Sequence, residues 1–491
     1  MTDVQALKER VFQAIDAHRE EIVALGEDIR VHPELGFKEF RTSLKVAERF
    51  CSLGIPHTTG LGITGVKGLL VGKGSETTVA YMGELDSVLV REHPDADPAT
   101  GAAHACGHNA QIANLVALAY GLVESGVMAD LDGNIALIAV PAEEYVEVEY
   151  RMGLRAEGKL EFLGGKPELI RLGALDDVQI AMMTHQAART QPGRLSVGGP
   201  SNGCVVKQIR FEGVASHAGG SPHAGVNALR AAMLAMQAID ANRETFKDDD
   251  HIRVHPIITK GGEIVNVIPA DVRMETYVRG ASVEAIMAAA KKVDRSLKAG
   301  AMALGATAHI STLPGYLPRI VPDALVEVYK ENAVALVGEA DWWAPSFGAG
   351  STDMGDVSHL MPAIEAQAKG AAGTGHGADY QIVDPETAYI TPAKAAAATL
   401  IDLLANGAER AQAMQNFVVS LFQDAGDAPG EAPLDVIKLP LDDAIAGEKI
   451  ASLRLLAPDG AATALTVEPG RGFHVIPVEL SAPGIYTVAG E

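Results

Sequence analysis

The chain is poor in cysteine, aromatic residues, positive charge and long apolar runs. Its three cysteines, Cys51, Cys106 and Cys204, are odd in number and scattered over 491 residues. That excludes a disulfide framework and suits a reducing compartment. Aromatic residues are only 5%, while 51 glycines and 47% hydrophobic content point to an Ala/Gly/Val-rich α/β core. With 40 Lys and Arg against 63 Asp and Glu, the net charge is -23. Nucleic acid and anionic membrane surfaces are therefore excluded as expected partners. No apolar run reaches the roughly 20 residues that span a bilayer. Met1-Thr2-Asp3-Val4 opens a charged amphipathic helix with no apolar signal core, so the expected compartment is the cytoplasm. Cys51 falls in a helical pattern and Cys204 in a strand pattern, and both are expected to be buried fillers.

The length calls for more than one domain. Residues 4–55 read as helices interrupted by His32-Pro33-Glu34-Leu35-Gly36-Phe37. Buried strands are predicted at Thr78–Glu84, Asn134–Val140 and Val178–Thr184, with an apolar helix at Ala110–Val123. Short apolar strands alternating with helices predict a largely parallel sheet, whose ligand site lies beyond the carboxyl ends of the strands. Asp86, Glu143, Glu144 and His185 all fall there. From about 196 to 314 the order changes to strand, helix, two strands, helix, the signature of an inserted α+β module. The predicted division is 1–195 and 315–410 for the main domain, 196–314 for the insert, and 411–491 for a β-rich extension of unassigned role. That extension begins with an acidic linker carrying Asp424, Asp427, Glu431 and Asp435, and holds strands near Phe473–Leu480 and Ile485–Val488.

Against these scarcities stands one dense segment, His104-Ala105-Cys106-Gly107-His108-Asn109. A free cysteine is more often a core residue than a ligand. Here neighbouring histidines, a glycine that lets the backbone turn, and a following helix whose N-terminus favours a thiolate change that balance. Pro141-Ala142-Glu143-Glu144 ends an apolar strand. Adjacent carboxylates usually belong to a solvated surface; on extended backbone, however, neighbouring side chains point apart, so one could bind metal while the other handles a proton. His185, at a strand end, and His376, in Gly373-Thr374-Gly375-His376-Gly377, are single histidines, a type more often structural than functional. His217, in Ala215-Ser216-His217-Ala218, lies in the insert.

Together these pieces resemble the aminoacylase/carboxypeptidase-G-type family of dinuclear metal amidohydrolases. The resemblance is greatest to the branch holding aminobenzoyl-glutamate hydrolase subunits and aminoacylase-like dipeptidases. It rests on His32–Glu39, Glu84-Leu85-Asp86, His104–Asn109, Pro141–Glu144, Ser216-His217-Ala218, Asn266-Val267-Ile268-Pro269 and Ser351–Val357, in family order across about residues 5–410. The resemblance implies two divalent metal ions, Zn or Mn, held by Cys106, His108, Glu144, His185 and His376. It implies Glu143 as general base and acid, Asp86 as support for the metal shell, and Asn266 as a substrate-binding residue. It implies that His217 stabilises an oxyanion by reaching across a homodimer formed by the insert, which also acts as a lid. His104 becomes a supporting residue. Asn109 stands where the acylated-amino-acid branch has Asp, which narrows the branch.

The expected function is a metal-dependent amidohydrolase. It would cleave an amide bond of an N-acyl or N-aroyl amino acid, or of an unusual dipeptide, beside a carboxylate, using metal-activated water. Two other readings compete: a non-catalytic metal- or ligand-binding subunit of the same fold, and a hydrolase with Cys106 as nucleophile and His108 as its base. The latter leaves the paired carboxylates and His376 without a role.

Overall fold

The computed structural model describes residues 3–414 except 75–76 and 188–192, together with five short strands beyond residue 435. It divides into two compact units, one of residues 1–199, 320–346 and 356–491 and the other of residues 200–319 and 347–355.

The first unit is built on a seven-stranded sheet. In chain order its strands are β1 (His57–Leu61), β2 (Gly65–Leu70), β3 (Thr78–Glu84), β4 (Asn134–Val140), β5 (Ile180–Gln186), β6 (Leu195–Val197) and β7 (Ala363–Ala368). Their order across the sheet is β1-β2-β4-β3-β5-β7-β6. The four central strands β4, β3, β5 and β7 are parallel, and the flanking strands are antiparallel. The sheet is thus mainly parallel in its centre. Every residue of β3 is buried, as expected for a strand covered on both faces. β5 starts two residues later than the apolar pattern suggests and carries His185 inside the strand, because its ladder with β7 continues through the pairs His185–Gln367 and Gln186–Ala368.

The helix His108–Glu124 is buried from His108 through Leu122, so it is a core helix rather than an amphipathic surface one. Helices Val4–Ala17 and Arg19–Arg30 pack against it. The third N-terminal helix, Phe40–Ser52, buries Thr42, Ser43, Val46 and Phe50. Cys51 is exposed, not the buried filler expected. One residue past Phe50 lies about 100° further round the helix, on its wet face. Cys204 is buried.

The second unit is an antiparallel sheet of five strands. Gly203–Glu212 pairs with Asp271–Gly280 on one side and Thr307–Tyr316 on the other, and the short strands Arg253–Val254 and Ile257–Lys260 extend it. Helices Ala228–Ala241 and Val283–Ala303 contribute Ala232, Ala235, Ile286, Val293 and Leu297 to the cluster that covers it. The sequence pattern missed strand Thr307–Tyr316. It is an edge strand, tolerates Pro314, and alternates buried and exposed positions only weakly.

The described tail strands pair antiparallel, Val436–Leu439 with His474–Pro477, and Leu453–Leu456 with both Ala462–Leu465 and Thr487–Gly490. The acidic linker at Asp424, Asp427, Glu431 and Asp435 and the remainder of the tail lie outside the described residues. Among the described residues no helix is long and apolar enough to cross a membrane.

Candidate active site at the carboxyl ends of the parallel strands

The site begins where β3 ends. Glu84 is its last residue, and Asp86 follows two residues later; both side chains are buried. Parallel to it, β4 ends at Val140 and runs into the turn that carries Glu143 and Glu144. Ala142 adopts φ 48°, a left-handed conformation uncommon for alanine, so the turn needs bracing. Two carboxylates and a guanidinium provide it. Glu39 accepts from Ala142 N at 2.7 Å, and Asp86 accepts from Glu144 N at 2.9 Å. The fully buried Arg151 donates to Ala142 O, Leu163 O and Glu144 O. The two glutamates therefore leave the turn in fixed and different directions. Glu143 groups with Glu84 and His108, and Glu144 groups with Cys106 and His376.

The segment ahead of the helix supplies Cys106 and His108. Gly107 stands between them at φ 90°, and a Cβ there would lie 2.5 Å from the Tyr380 hydroxyl and 2.7 Å from Gln186 Cβ. His108 Nδ1 donates to Asp86 O at 2.9 Å and lies 3.2 Å from its Oδ1, which fixes a proton on Nδ1 and turns Nε2 inward. That Nε2 is buried, lies 3.0 Å from Glu84 Oε2, and makes no hydrogen bond.

Cys106 is the hub. Its Sγ lies 3.3 Å from His185 Nε2 and 3.3 Å from His376 Nε2. His185 points its other nitrogen at Gln186 O, 2.9 Å away. His376, at φ 60°, is anchored by its N–H to Ala105 O and approaches Glu144 Oε1 at 3.1 Å. Two donor triads result, Cys106–His108–His185 and Cys106–Glu144–His376, and they share Cys106. All five ligands expected from the sequence are thus brought together, with Glu143 beside them.

Electrostatics sets what this cluster can hold. Burial, then the charges of Glu144 and Glu143, push the Cys106 thiol well above its ordinary range. The helix N-terminus does not win that contest, contrary to the expectation of a preformed thiolate. Burial disfavours a charged His108, yet Glu84, Asp86 and Glu144 outweigh it and hold the ring up to about 10. The cluster is an excess of negative charge in a dry place, and divalent cations are what would relieve it.

Several residues of the site were given no role from sequence. Glu84 is one. Its carboxylate resists the effect of burial and is held low chiefly by Lys166. Lys166 is itself fully buried, 2.6 Å from Glu84 Oε1, and Gln111 donates to Glu84 Oε2 at 2.7 Å. Helix Gly165–Arg171 reaches this position because Gly165 has no side chain; a Cβ there would sit 1.6 Å from Pro141 O. Lys166, Glu39 and Arg151 are others. The sequence signal for Glu84 was its place at a strand end, two residues before Asp86. His104 is buried with both ring nitrogens unpartnered, and burial presses it down to about 3, so it is neutral. Asn109 donates to Gly26 O and Tyr389 OH, both at 3.2 Å, a packing role beneath the ligands.

Beside Cys106 opens a cavity of about 420 Å³, lined by His185, Gln186, Gln367, His376 and Tyr380 among others. The remaining expected residues belong to the second unit, where the chain brings them together. His217 and Val267 form a β-bridge, and Ala218 N donates to Asn266 O at 2.9 Å. His217 Nδ1 accepts from Gly219 N at 3.1 Å and Gly220 N at 2.8 Å, which places the ring proton on Nε2. His217 and Asn266 are both exposed.

Residues 203–302 match the family model described as a peptidase dimerisation domain, M20_dimer. Over 370 residues the chain is 30% identical to the Xaa-Arg dipeptidase of Mus musculus, covering 74% of this chain and 79% of that protein. The chain belongs to the M20 peptidase family. The N-acyl-L-amino acid amidohydrolase of Geobacillus stearothermophilus is 25% identical over 282 residues, 55% of this chain and 70% of that one. The fold also matches the crystal structure of a dinuclear metal binding peptidase from the M20 family of Bacillus subtilis. That match has a TM-score of 0.59 and 21% identity, over 79% of this chain and 99% of that one. As an M20 member this chain is a hydrolase of peptide or amide bonds.

Proposed function

We propose that this M20 member cleaves the amide bond of an N-acyl or N-aroyl amino acid, or of a dipeptide, next to a free carboxylate, with two divalent ions. The observation that carries the reading is the Cys106 sulfur 3.3 Å from both His185 and His376, between two donor triads. The inward-facing, unbonded Nε2 of His108 and the surplus of buried carboxylate fit the same group. His108 and His185 with Cys106 would hold one ion, and Glu144 and His376 with Cys106 the other. The imidazole and thiolate donors suit zinc, and the carboxylate admits manganese.

When bound, the ions supply Lewis-acid polarisation of the substrate carbonyl and of the attacking water. The protein's own groups do the rest. Asp86 fixes the His108 tautomer and holds the Glu144 backbone. Glu143, only 8% exposed, takes the proton from water and returns it to the leaving nitrogen. The Nε2–H of His217 is a donor for the developing oxyanion, and Asn266 beside it is a donor for the substrate's carboxylate or amide. The match to a peptidase dimerisation domain supports a homodimer in which His217 serves the partner's site.

A nucleophilic Cys106 needs a lowered pKa, and its surroundings push the other way. The test is hydrolysis of a panel of acyl- and aroyl-amino acids and dipeptides, including ones ending in arginine, with metal content measured on the same sample. Turnover that tracks metal content and is lost to a chelator supports the reading. Metal bound with no hydrolysis across the panel replaces it with a binding function.

A further inference from the structure

The cavity beside Cys106 has polar walls, and most of their capacity is already committed. His185 is turned toward Gln186 O. The Gln186 carboxamide donates to Ala388 O at 3.1 Å and accepts from Gly370 N at 3.2 Å. Two groups remain. The Tyr380 hydroxyl is buried without a hydrogen-bond partner, on a residue 3% exposed. The half-buried Gln367 carboxamide makes no hydrogen bond to any described residue. Unpaired polar groups walling a cavity are paired by what enters it.

Register fixes where Gln367 points. On β7 it lies opposite His185 of β5, and paired residues of adjacent strands project from the same face. The carboxyl edge of the sheet therefore presents Glu143 after β4, Asp86 after β3, His185 on β5, and Gln367 on β7, in that order. Glu143 must reach the leaving nitrogen to protonate it. The leaving group thus lies toward β4, and the acyl group extends toward β7. Gln367 stands about 5 Å, one strand spacing, beyond His185 on the acyl side.

We propose that Gln367 is a specificity-determining residue whose carboxamide oxygen accepts a hydrogen bond from an amino group α to the scissile carbonyl, so that the enzyme favours dipeptides over plain acyl amino acids. The proposal rests on the amide-hydrolase reading above and deepens it.

The test is a matched pair, alanyl-arginine and propionyl-arginine, which differ only in that amino group. The metal-loaded wild-type enzyme should prefer the alanyl compound. In Gln367→Leu, the ratio of kcat/KM for the alanyl over the propionyl compound should fall about tenfold, mainly through KM, the size of one hydrogen bond to a charged donor. Gln367→Glu keeps the acceptor and should hold or raise the ratio, with metal content unchanged in both variants. A ratio unchanged within about twofold in Gln367→Leu, or a ratio lost equally in Gln367→Glu, overturns the assignment. Wild-type enzyme that cleaves neither compound nor any other amide overturns the hydrolase reading instead, a distinct outcome.

Discussion

The two units place chemistry by opposite means. In the first, charge is buried: Glu84, Lys166, Asp86 and His108 are each at most 2% exposed, and every position is fixed by another charge. In the second, His217 and Asn266 sit on an exposed surface, and backbone N–H groups orient the His217 ring while the Asn266 carbonyl accepts from Ala218 N. A buried set is strongly coupled, so removing one member leaves another unpaired and costly. An exposed residue held by backbone N–H groups can be deleted with little structural consequence. The lesson is that function and stability should separate cleanly in one unit and stay entangled in the other.

Four substitutions test that contrast. The largest effect is expected for Glu143→Gln, which should lower kcat by roughly 10²–10⁴-fold with metal content retained. Near-normal turnover would remove Glu143 from its role. His217→Ala should lower kcat by about 10²–10³-fold while the unfolding free energy stays within about 0.5 kcal/mol of wild type. Mixed dimers of His217→Ala and Glu143→Gln chains should regain activity if one chain completes the other's site. In contrast, Lys166→Met should destabilise the fold by about 3–5 kcal/mol, because Glu84 loses its buried counter-charge. Urea unfolding checks this, and a loss under about 1 kcal/mol would show that Glu84 is neutral.

The smallest effect concerns pH. Burial first, then the charge of Asp86, raises Glu39 from its usual 4.5 to about 7. Between those values the folded protein binds more protons than the unfolded chain, so stability falls as pH rises through the window. Glu39→Gln removes that titration. Its stability relative to wild type should grow from about pH 4.5 to about pH 7 by no more than about 3 kcal/mol, then level off. A difference that is flat with pH would show that Glu39 titrates alike in both states.

The members of the candidate cluster were more legible in the sequence than the residues that support them. Cys106, His108, Glu143 and Glu144 are close in sequence and adjoin strands with strong apolar patterns, so short-range signals sufficed. His185 and His376 needed the family resemblance, since a lone histidine carries little information. Lys166 was illegible: it opens a short helix, where a lysine normally meets water, and only the approach of Gly165 to Pro141 buries it. Gln367 and Tyr380 gain meaning only through register and packing with residues about 180 and 270 positions away, His185 and Gly107. Cys51 misled for the opposite reason. The helical pattern was right, but the phase of one residue put it on the other face.

Gly107 has a consequence for anyone who would diversify this enzyme. Its backbone conformation penalises every side chain, and the space where a Cβ would go is held by Tyr380 and Gln186. The two obstacles are independent, so trimming Tyr380 or Gln186 does not open the position. A combinatorial library that randomises residues 104–109 would spend most of its members on dead sequences. One that leaves Gly107 untouched and varies Gln367 instead explores the same cavity at a site the fold leaves open.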